Sequence, residues 1–182
     1  MKRKTAKEIL AASFRELAES KSIDKITIQE ITDNCGYSPA TFYRNFQDKY
    51  DLIAWEYAAG TAAIMNRVHA GEAVWTQTLL DGARRFWREK EYLANLFRHT
   101  TGQDSFVRYM TDIHFTALQQ YILSSSGKPA LDQKEDLCVR LYCLGTVMLT
   151  CEWILGSYDA TPEEIAAIYE DAIPQALQQY LL

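Results

Sequence analysis

Apolar residues recur three and four positions apart along the chain, and beyond Asp51 no segment alternates between apolar and polar positions. Spacing of this kind is typical of amphipathic helices that bury one face, whereas a half-buried strand alternates with a period of two. In the first such segment the apolar positions are Ile9, Leu10, Phe14 and Leu17. The pattern therefore predicts an all-α protein.

Capping residues locate the helix starts. Thr5 with Glu8 and Thr27 with Glu30 have the spacing of capping boxes, in which each pair satisfies two free backbone amides. Thr161, followed by Pro162 and two glutamates, should cap the last helix. Pro174 falls inside the last apolar segment, where its ring should kink or split the helix. We expect about nine helices, near 5–20, 27–34, from 39, and at 48–69, 73–90, 92–99, 104–123, 132–157 and 161–181.

Two of the predicted helices are short and are joined by a turn at Gly36. Ser38 can cap the second of them and Pro39 suits its first position, where no backbone donor is needed. Phe42 and Phe46 are four residues apart and should hold this helix on the core. Two short helices of this form are typical of a helix-turn-helix, whose second helix enters the major groove of DNA.

The outward face of that second helix carries small and polar side chains. Small residues allow close approach to base edges, while Tyr43 and Arg44 can donate to phosphate and Arg44 also to guanine. The amino end of the helix that starts at Thr27 offers free backbone amides to a phosphate. Lys49 lies at the amino end of the next long helix, where a positive charge does not stabilise the helix dipole, so a phosphate partner would explain it. The residues expected to face outward are Ser38, Pro39, Thr41, Tyr43 and Arg44.

Charge is divided unevenly along the chain, whose net charge is −5. Residues 1–50 hold nine Lys and Arg against seven Asp and Glu, and four of those nine lie within Met1–Lys7. Residues 51–182 hold ten against seventeen. A basic head on an acidic body suits phosphate binding at one end only. We therefore expect a DNA-binding domain at 1–50 and a second helical domain at 51–182.

The first fifty-five residues resemble the TetR family of bacterial transcription regulators. The segments that resemble it are Ile9–Phe14, Ile26–Ile31, Cys35–Phe46 and Asp48–Leu52. One departure is the loop Glu19–Ile23, which lacks the glycine usual in the family. By this resemblance Thr27, Tyr43 and Lys49 would anchor phosphates. The residues that would read the groove are Gln29, Pro39, Ala40, Thr41 and Arg44.

The same resemblance implies an effector cavity and a dimer formed by the last two helices. Gly145–Gly156 followed by Thr161–Glu164 is similar to a Gram-positive subgroup of dihydroxyacetone-type regulators. Aromatic residues between Trp55 and Phe115 form either a filled core or a cavity wall. The expected cavity residues are Asn66, His69, Phe86, Tyr109, His114 and Tyr142.

The segment from Leu137 to Leu155 is apolar nearly all round, so both of its faces should be covered. One face can pack on its own chain and the other on a second copy, although a central helix of a monomer would show the same pattern. Glu152 would then be either a buried functional carboxylate or a residue at the helix edge. The expected dimer contacts are Leu141, Gly145, Met148, Glu152, Ile165, Ile168, Tyr169 and Ile173.

The sequence therefore predicts a cytoplasmic homodimer that binds palindromic operator DNA and responds to a small-molecule effector, most simply as a repressor. The alternative is an adaptor or co-activator of the same fold whose C-terminal domain binds a protein. No enzyme motif, cofactor, metal site or membrane segment is expected. The four cysteines lack ligand spacing and should be reduced core residues, and the run Arg84–Lys90 should be a solvated helix face, or else a second binding site.

Overall fold

The computed structural model describes residues 4–100 and 105–182, and in this part of the chain every regular element is a helix. The expected start at 104, the break at Thr101 and Gly102, and the basic residues Lys2 and Arg3 lie outside the described residues. The elements are α1 (Ala6–Ala18), a 3-10 turn (Ile23–Lys25), α2 (Ile28–Cys35), α3 (Pro39–Tyr43), α4 (Lys49–His69), α5 (Trp75–Arg88), α6 (Lys90–His99), α7 (Phe106–Ser126), α8 (Gln133–Ile154), α9 (Pro162–Asp171) and α10 (Gln175–Leu181).

Helix starts follow the caps expected from the sequence. Thr5, Thr27 and Thr161 each form a capping box with the glutamate three residues later, and Asp132 does the same with Glu135 at α8. The last predicted helix is split into α9 and α10, with Pro174 as the residue before α10. Proline cannot donate the backbone bond that would continue a helix. Ten α-helices occupy the described residues, one more than the nine expected.

The N-terminal head consists of α1, α2 and α3 packed on the start of α4. Gly36 ends α2 with φ 71°, a left-handed conformation that suits glycine because it has no Cβ. The loop without the family glycine is a 3-10 turn whose Ile23 is fully buried. Helix α4 runs from the head into the body, so the boundary predicted at residue 50 falls within it and stays a prediction.

The body packs α4 against α5 and α7, α7 against α8, and α5 against α9, while α10 contacts α7 and α8. Helix α8 is long and apolar enough to suit a bilayer span, but it lies among these helices with Val139, Val147 and Trp153 buried. Its other side is exposed in the protomer, at Leu137, Leu141, Leu144 and Met148. Helix α6 contacts α1, the 3-10 turn and α8, and so joins head to body.

Candidate DNA interface and effector cavity

Helix α3 is held on the head by its aromatic side chains. Phe42 is fully buried, Phe46 is almost so, and their ring centroids lie 5.7 Å apart. The Phe46 ring meets Trp55 of α4 at 5.7 Å. Because these rings fix one face of the helix inward, the opposite face is presented to solvent, with Tyr43 60% exposed.

The outward face of α3 has the side chains that the sequence analysis assigned to it. Ser38 caps the helix by accepting from the Thr41 amide at 3.3 Å, and Arg44 Nη2 donates to Thr41 Oγ1 at 3.0 Å. Gln29, on α2, donates to Asp33 at 2.7 Å. The residues exposed are Thr27, Gln29, Ser38, Ala40, Tyr43 and Arg44, while Pro39, Thr41 and Lys49 are half-buried.

The amino end of α2 is only partly free to bind an anion. Glu30 accepts from the Thr27 amide at 2.9 Å, and the Glu30 amide donates back to Thr27 Oγ1 at 3.2 Å. The Lys21 ammonium beside Glu30 lowers the pKa of that carboxyl to about 2, so it stays ionised. The predicted phosphate contact at this end therefore depends on the next two amides, of Ile28 and Gln29.

Lys49 has a structural role that the sequence did not indicate. Its ammonium donates to the carbonyls of Ile23, Asp24 and Ile26 at 2.9, 2.8 and 2.9 Å. These carbonyls belong to the 3-10 turn and its end, so Lys49 ties that turn to the start of α4. An ammonium has three donors. A phosphate contact by Lys49, which stays a prediction, would have to displace one of these carbonyls.

A cavity of about 100 Å³ lies between α4, α5, α7, α8 and α9. Most of its wall is apolar or aromatic, with threonine hydroxyls, one histidine and one arginine interspersed. Such a wall is typical of a small-molecule site. The lining residues are Tyr57, Thr61, Ile64, Met65, Trp75, Thr78, Leu79, Gly82, Arg85, Phe86, His114, Ala117, Leu118, Tyr142, Cys143, Thr146, Thr150 and Tyr169.

Three of the six expected cavity residues lie in this wall: Phe86, His114 and Tyr142. Asn66 and His69 are exposed instead, because Tyr57, Thr61, Ile64 and Met65 form the inward stripe of α4 and residues 66 and 69 lie on another face. Tyr109 lies outside the wall.

The wall also contains Tyr57, Trp75 and Arg85. From the sequence, Tyr57 and Trp75 belong to the aromatic region that is either core or cavity wall, and Arg85 is one of the polar residues there that could orient a ligand. The spacing of apolar positions on α4 and α5 could have found Tyr57 and Trp75. Arg85 lies in the basic run that was expected to be a solvated face, yet its side chain is only 13% exposed.

His114 and Tyr57 form a polar pair in the cavity wall. The Tyr57 hydroxyl lies 2.7 Å from His114 Nε2, and the Tyr57 ring stacks on Phe86 at 6.5 Å. Burial, with a smaller effect of the Arg85 charge, lowers the pKa of His114 to about 4. His114 is therefore neutral at physiological pH.

Acidification should destabilise the protein through His114. The unfolded state takes up this proton near pH 6.5 and the folded state only near pH 4. The free energy of unfolding should therefore fall as pH decreases between these values, by about 3 kcal/mol in total. Urea unfolding of the wild type and of His114→Asn, followed from pH 7 to 4, measures the difference. If the two proteins lost stability in parallel, His114 would not be the responsible group.

An ion-pair cluster joins the head to the body. Arg15 of α1 pairs with Glu56 of α4 and, at 2.9 Å, with Glu89 between α5 and α6, and the Tyr92 hydroxyl donates to Glu56 at 2.9 Å. Burial opposes the Arg15 charge, but the two carboxylates raise the pKa of its guanidinium above the usual value. Arg85 Nε lies 3.4 Å from Glu89 and so links the cluster to the cavity.

Asn95 of α6 makes a second head-to-body joint. Its amide nitrogen donates to the carbonyls of Ala18 and Lys21 at 3.0 and 2.9 Å, and its oxygen accepts from the Ile23 amide at 3.2 Å. The three groups extend from the last residue of α1 to the first residue of the 3-10 turn. The orientation of the head is therefore fixed by side chains as well as by α4.

The expected dimer residues are divided between a surface and the core. Leu141, Gly145, Met148 and Glu152 lie exposed along α8, and Ile168 is exposed on α9. Glu152 accepts from the Tyr158 hydroxyl at 3.0 Å, which places it at the helix edge. Three other expected contacts are buried in their own protomer, because they pack on the core side of α9 and beyond it. These three are Ile165, Tyr169 and Ile173.

The four cysteines are free thiols. Cys143 and Cys151 are buried, Cys35 and Cys138 are half-buried, and burial raises the pKa of Cys143 to about 12. A thiol with so high a pKa is a poor nucleophile and metal ligand. In the described part of the chain no group of three His, Cys, Asp or Glu side chains could hold a metal ion.

Sequence comparison identifies the family to which this architecture belongs. A family model described as "Bacterial regulatory proteins, tetR family" matches residues 9–54, and one described as "Transcriptional regulator C-terminal region" matches residues 74–175. The chain belongs to the TetR family, whose members are DNA-binding transcription regulators and not enzymes. An uncharacterized HTH-type transcriptional regulator of Haemophilus influenzae is 33% identical over 51 residues, which span 28% of this chain and 25% of that protein.

Solved structures share the fold over nearly the whole chain. The dihydroxyacetone kinase operon activator DhaS superposes with a TM-score of 0.64 at 18% identity, covering 96% of each chain. A TetR regulator from Rhodococcus sp. RHA1 gives a TM-score of 0.65 at 16% identity, covering 96% of this chain and 98% of that one. Thermus thermophilus FadR, a TetR-family repressor in complex with lauroyl-CoA, gives a TM-score of 0.59 at 18% identity, covering 97% of this chain and 95% of that one. At these identities the likeness shows the fold.

Proposed function

We propose that the chain is a cytoplasmic, homodimeric transcription regulator that binds a palindromic operator and is released from it when a small molecule occupies the cavity. The observation that carries the DNA-binding part is the geometry of α3, whose phenylalanines are buried while Tyr43 and Arg44 face solvent. A helix held in this way can enter a major groove with its polar side toward the bases. Ser38, Pro39, Ala40 and Thr41 would then lie nearest the base edges.

Dimerisation would use the exposed apolar surface of α8. Leu137, Leu141, Leu144 and Met148 lie on one side of the helix and are all largely exposed in the protomer. A row of exposed leucines on a rigid helix marks a protein interface. A second copy is the natural partner, because two-fold symmetry of the protein matches two-fold symmetry of an operator. Gly145, with open space around its Cα, would allow the two helices to approach closely.

The cavity favours a regulator controlled by a small molecule over an adaptor with a filled core. Occupancy would change the separation of the two recognition helices, which must be about 34 Å apart to lie in successive grooves. DNA affinity would then fall because both heads could no longer bind together. We accordingly propose that the protein is a repressor, and that its effector releases it from the operator.

Substitutions at Tyr43 and Arg44 test the DNA-binding part. Tyr43→Phe removes one neutral phosphate donor, so binding to every duplex should weaken by up to about tenfold with unchanged site preference and salt slope. Arg44→Ala should lose discrimination by about 1–3 kcal/mol at one base position and also flatten the salt dependence. Gel shifts at several salt concentrations, on a bound promoter fragment and a scrambled duplex, measure both effects. Equal wild-type affinity for the two duplexes would contradict the proposal.

A further inference from the structure

The guanidinium of Arg85 stands between the cavity and the ion pairs that join α1 to the body. Its side chain lines the cavity and also lines a void of about 10 Å³ shared with Arg15, Glu56 and Glu89. Nε makes one long bond to Glu89, and among the described residues neither Nη has a hydrogen-bond partner. A guanidinium has five donor hydrogens. Arg85 is thus a mostly buried cation with donors to spare.

The cavity wall offers unpaired hydrogen-bond donors and a positive charge, but no carboxylate. Its lining contains Arg85 and no Asp or Glu, so the nearest carboxylate to Arg85 is Glu89, outside the wall. At another part of the wall the indole nitrogen of Trp75 is buried with no acceptor among the described residues. Unmatched donors beside a cation whose one carboxylate partner, Glu89, is shared with Arg15 favour a ligand that is anionic and rich in acceptors.

The dimensions of the cavity limit the ligand. A volume of about 100 Å³ is somewhat smaller than the roughly 150 Å³ apolar cavity that holds a benzene ring in another protein. The surrounding rings of Tyr57, Phe86 and Trp75 suit a flat apolar body. A ligand of about one ring is therefore the upper limit and needs small movements of the wall side chains, whereas a long acyl chain would need the helices to separate.

We propose that the cavity binds a compact organic acid, that Arg85 holds its carboxylate, and that occupancy reaches the DNA-binding head through Glu89 and Arg15. The last part rests on the proposed function, and the first two do not. A carboxylate can bind both Nη atoms of a guanidinium in a bidentate pair, which the single 3.4 Å contact to Glu89 does not provide. The bound acid neutralises the Arg85 charge and so weakens the attraction between Arg85 and Glu89, which leaves Glu89 to Arg15 of α1.

Binding of matched probes tests the ligand class. Benzoate, phenylacetate and hexanoate, each against its amide, are titrated calorimetrically into the full-length protein. At least one acid should bind the wild type about tenfold or more tightly than its amide, and Arg85→Gln should remove that preference. If no acid binds, if the amides bind as tightly, or if Arg85→Gln keeps the preference, the assignment is overturned.

Gly60→Ala tests the position of the guanidinium without removing its charge. A Cβ at residue 60 would lie 2.1 Å from Arg85 Nη1, so the guanidinium would have to move. Alanine is the better helix former, so α4 should persist, and the melting temperature shows whether it does. In a folded Gly60→Ala protein the acid preference should fall as in Arg85→Gln. A folded variant with undiminished preference contradicts the site.

Glu89→Gln tests the transmission to the head. This variant should still bind the acid, because an uncharged amide attracts Arg85 less than the Glu89 carboxylate does. The acid should no longer change DNA affinity as it does in the wild type. Full retention of the wild-type response in Glu89→Gln overturns the relay. DNA affinity without acid is measured in parallel, so a wild type that binds the acid but no DNA would refute the proposed function and leave the acid site standing.

Discussion

Replacing Leu141 and Met148 together with glutamate is expected to give a folded monomer with greatly reduced operator affinity. The two side chains are 71% and 48% exposed in the protomer and lie two turns apart on α8. In a dimer they would be covered, and two pairs of buried unpaired carboxylates would oppose association. In a dimer, binding of one head holds the second at a high effective concentration near the other half-site, and a monomer lacks this effect. Operator affinity should therefore fall about 10²–10⁴-fold.

Sedimentation measures the mass and a gel shift the affinity of this double variant. Because both side chains are exposed in the protomer, the variant subunit should remain folded and lose only the stabilisation that association gives the wild type. Val74→Glu is the matched control, since Val74 is 68% exposed at the start of α5 and away from α8. A double variant that remains a dimer would place the interface elsewhere. A monomer with full operator affinity would contradict the need for two heads.

Phe42→Ala is expected to unfold the head under mild conditions. The ring is fully buried and contacts Phe46 and Tyr43, so truncation leaves a cavity in a small domain. Phenylalanine-to-alanine changes at such positions cost about 3–5 kcal/mol. Operator binding should fail with the fold, because α3 is no longer held in place. Urea unfolding of the wild type and of Phe42→Ala, followed by circular dichroism, together with a gel shift, measures both losses.

The neighbouring Tyr43→Ala separates packing from DNA contact. Tyr43 is exposed, so its truncation should change stability by no more than about 0.5 kcal/mol while weakening binding to all duplexes. The opposite pattern, in which Phe42→Ala is stable and Tyr43→Ala unfolds, would mean that α3 presents the other face.

The sequence predicted the all-helical fold, the helix starts and the exposed face of α3, because each depends on local rules. Capping boxes at Thr5, Thr27 and Thr161 and the spacing of Phe42 and Phe46 can be recognised without a three-dimensional context. The split at Pro174 also follows from the proline ring alone.

Roles that depend on packing between distant segments could not be predicted in the same way. Lys49 binds carbonyls 23 to 26 residues earlier, which no local pattern indicates. Arg85 turns inward from a basic run that would otherwise be solvated, where Gly60 makes room for its guanidinium. Tyr169 was assigned to the dimer because the family resemblance places the interface on the last two helices, yet its hydroxyl lies beside Thr150 in the protomer core.

Selection of bound duplexes from a random library, with the full-length protein at fixed salt, tests the central claim most directly. We predict one enriched motif, an inverted repeat whose half-site centres lie about one helical turn, or roughly 34 Å, apart. Recovery of duplexes with no common sequence, or of a single unrepeated half-site, would contradict it.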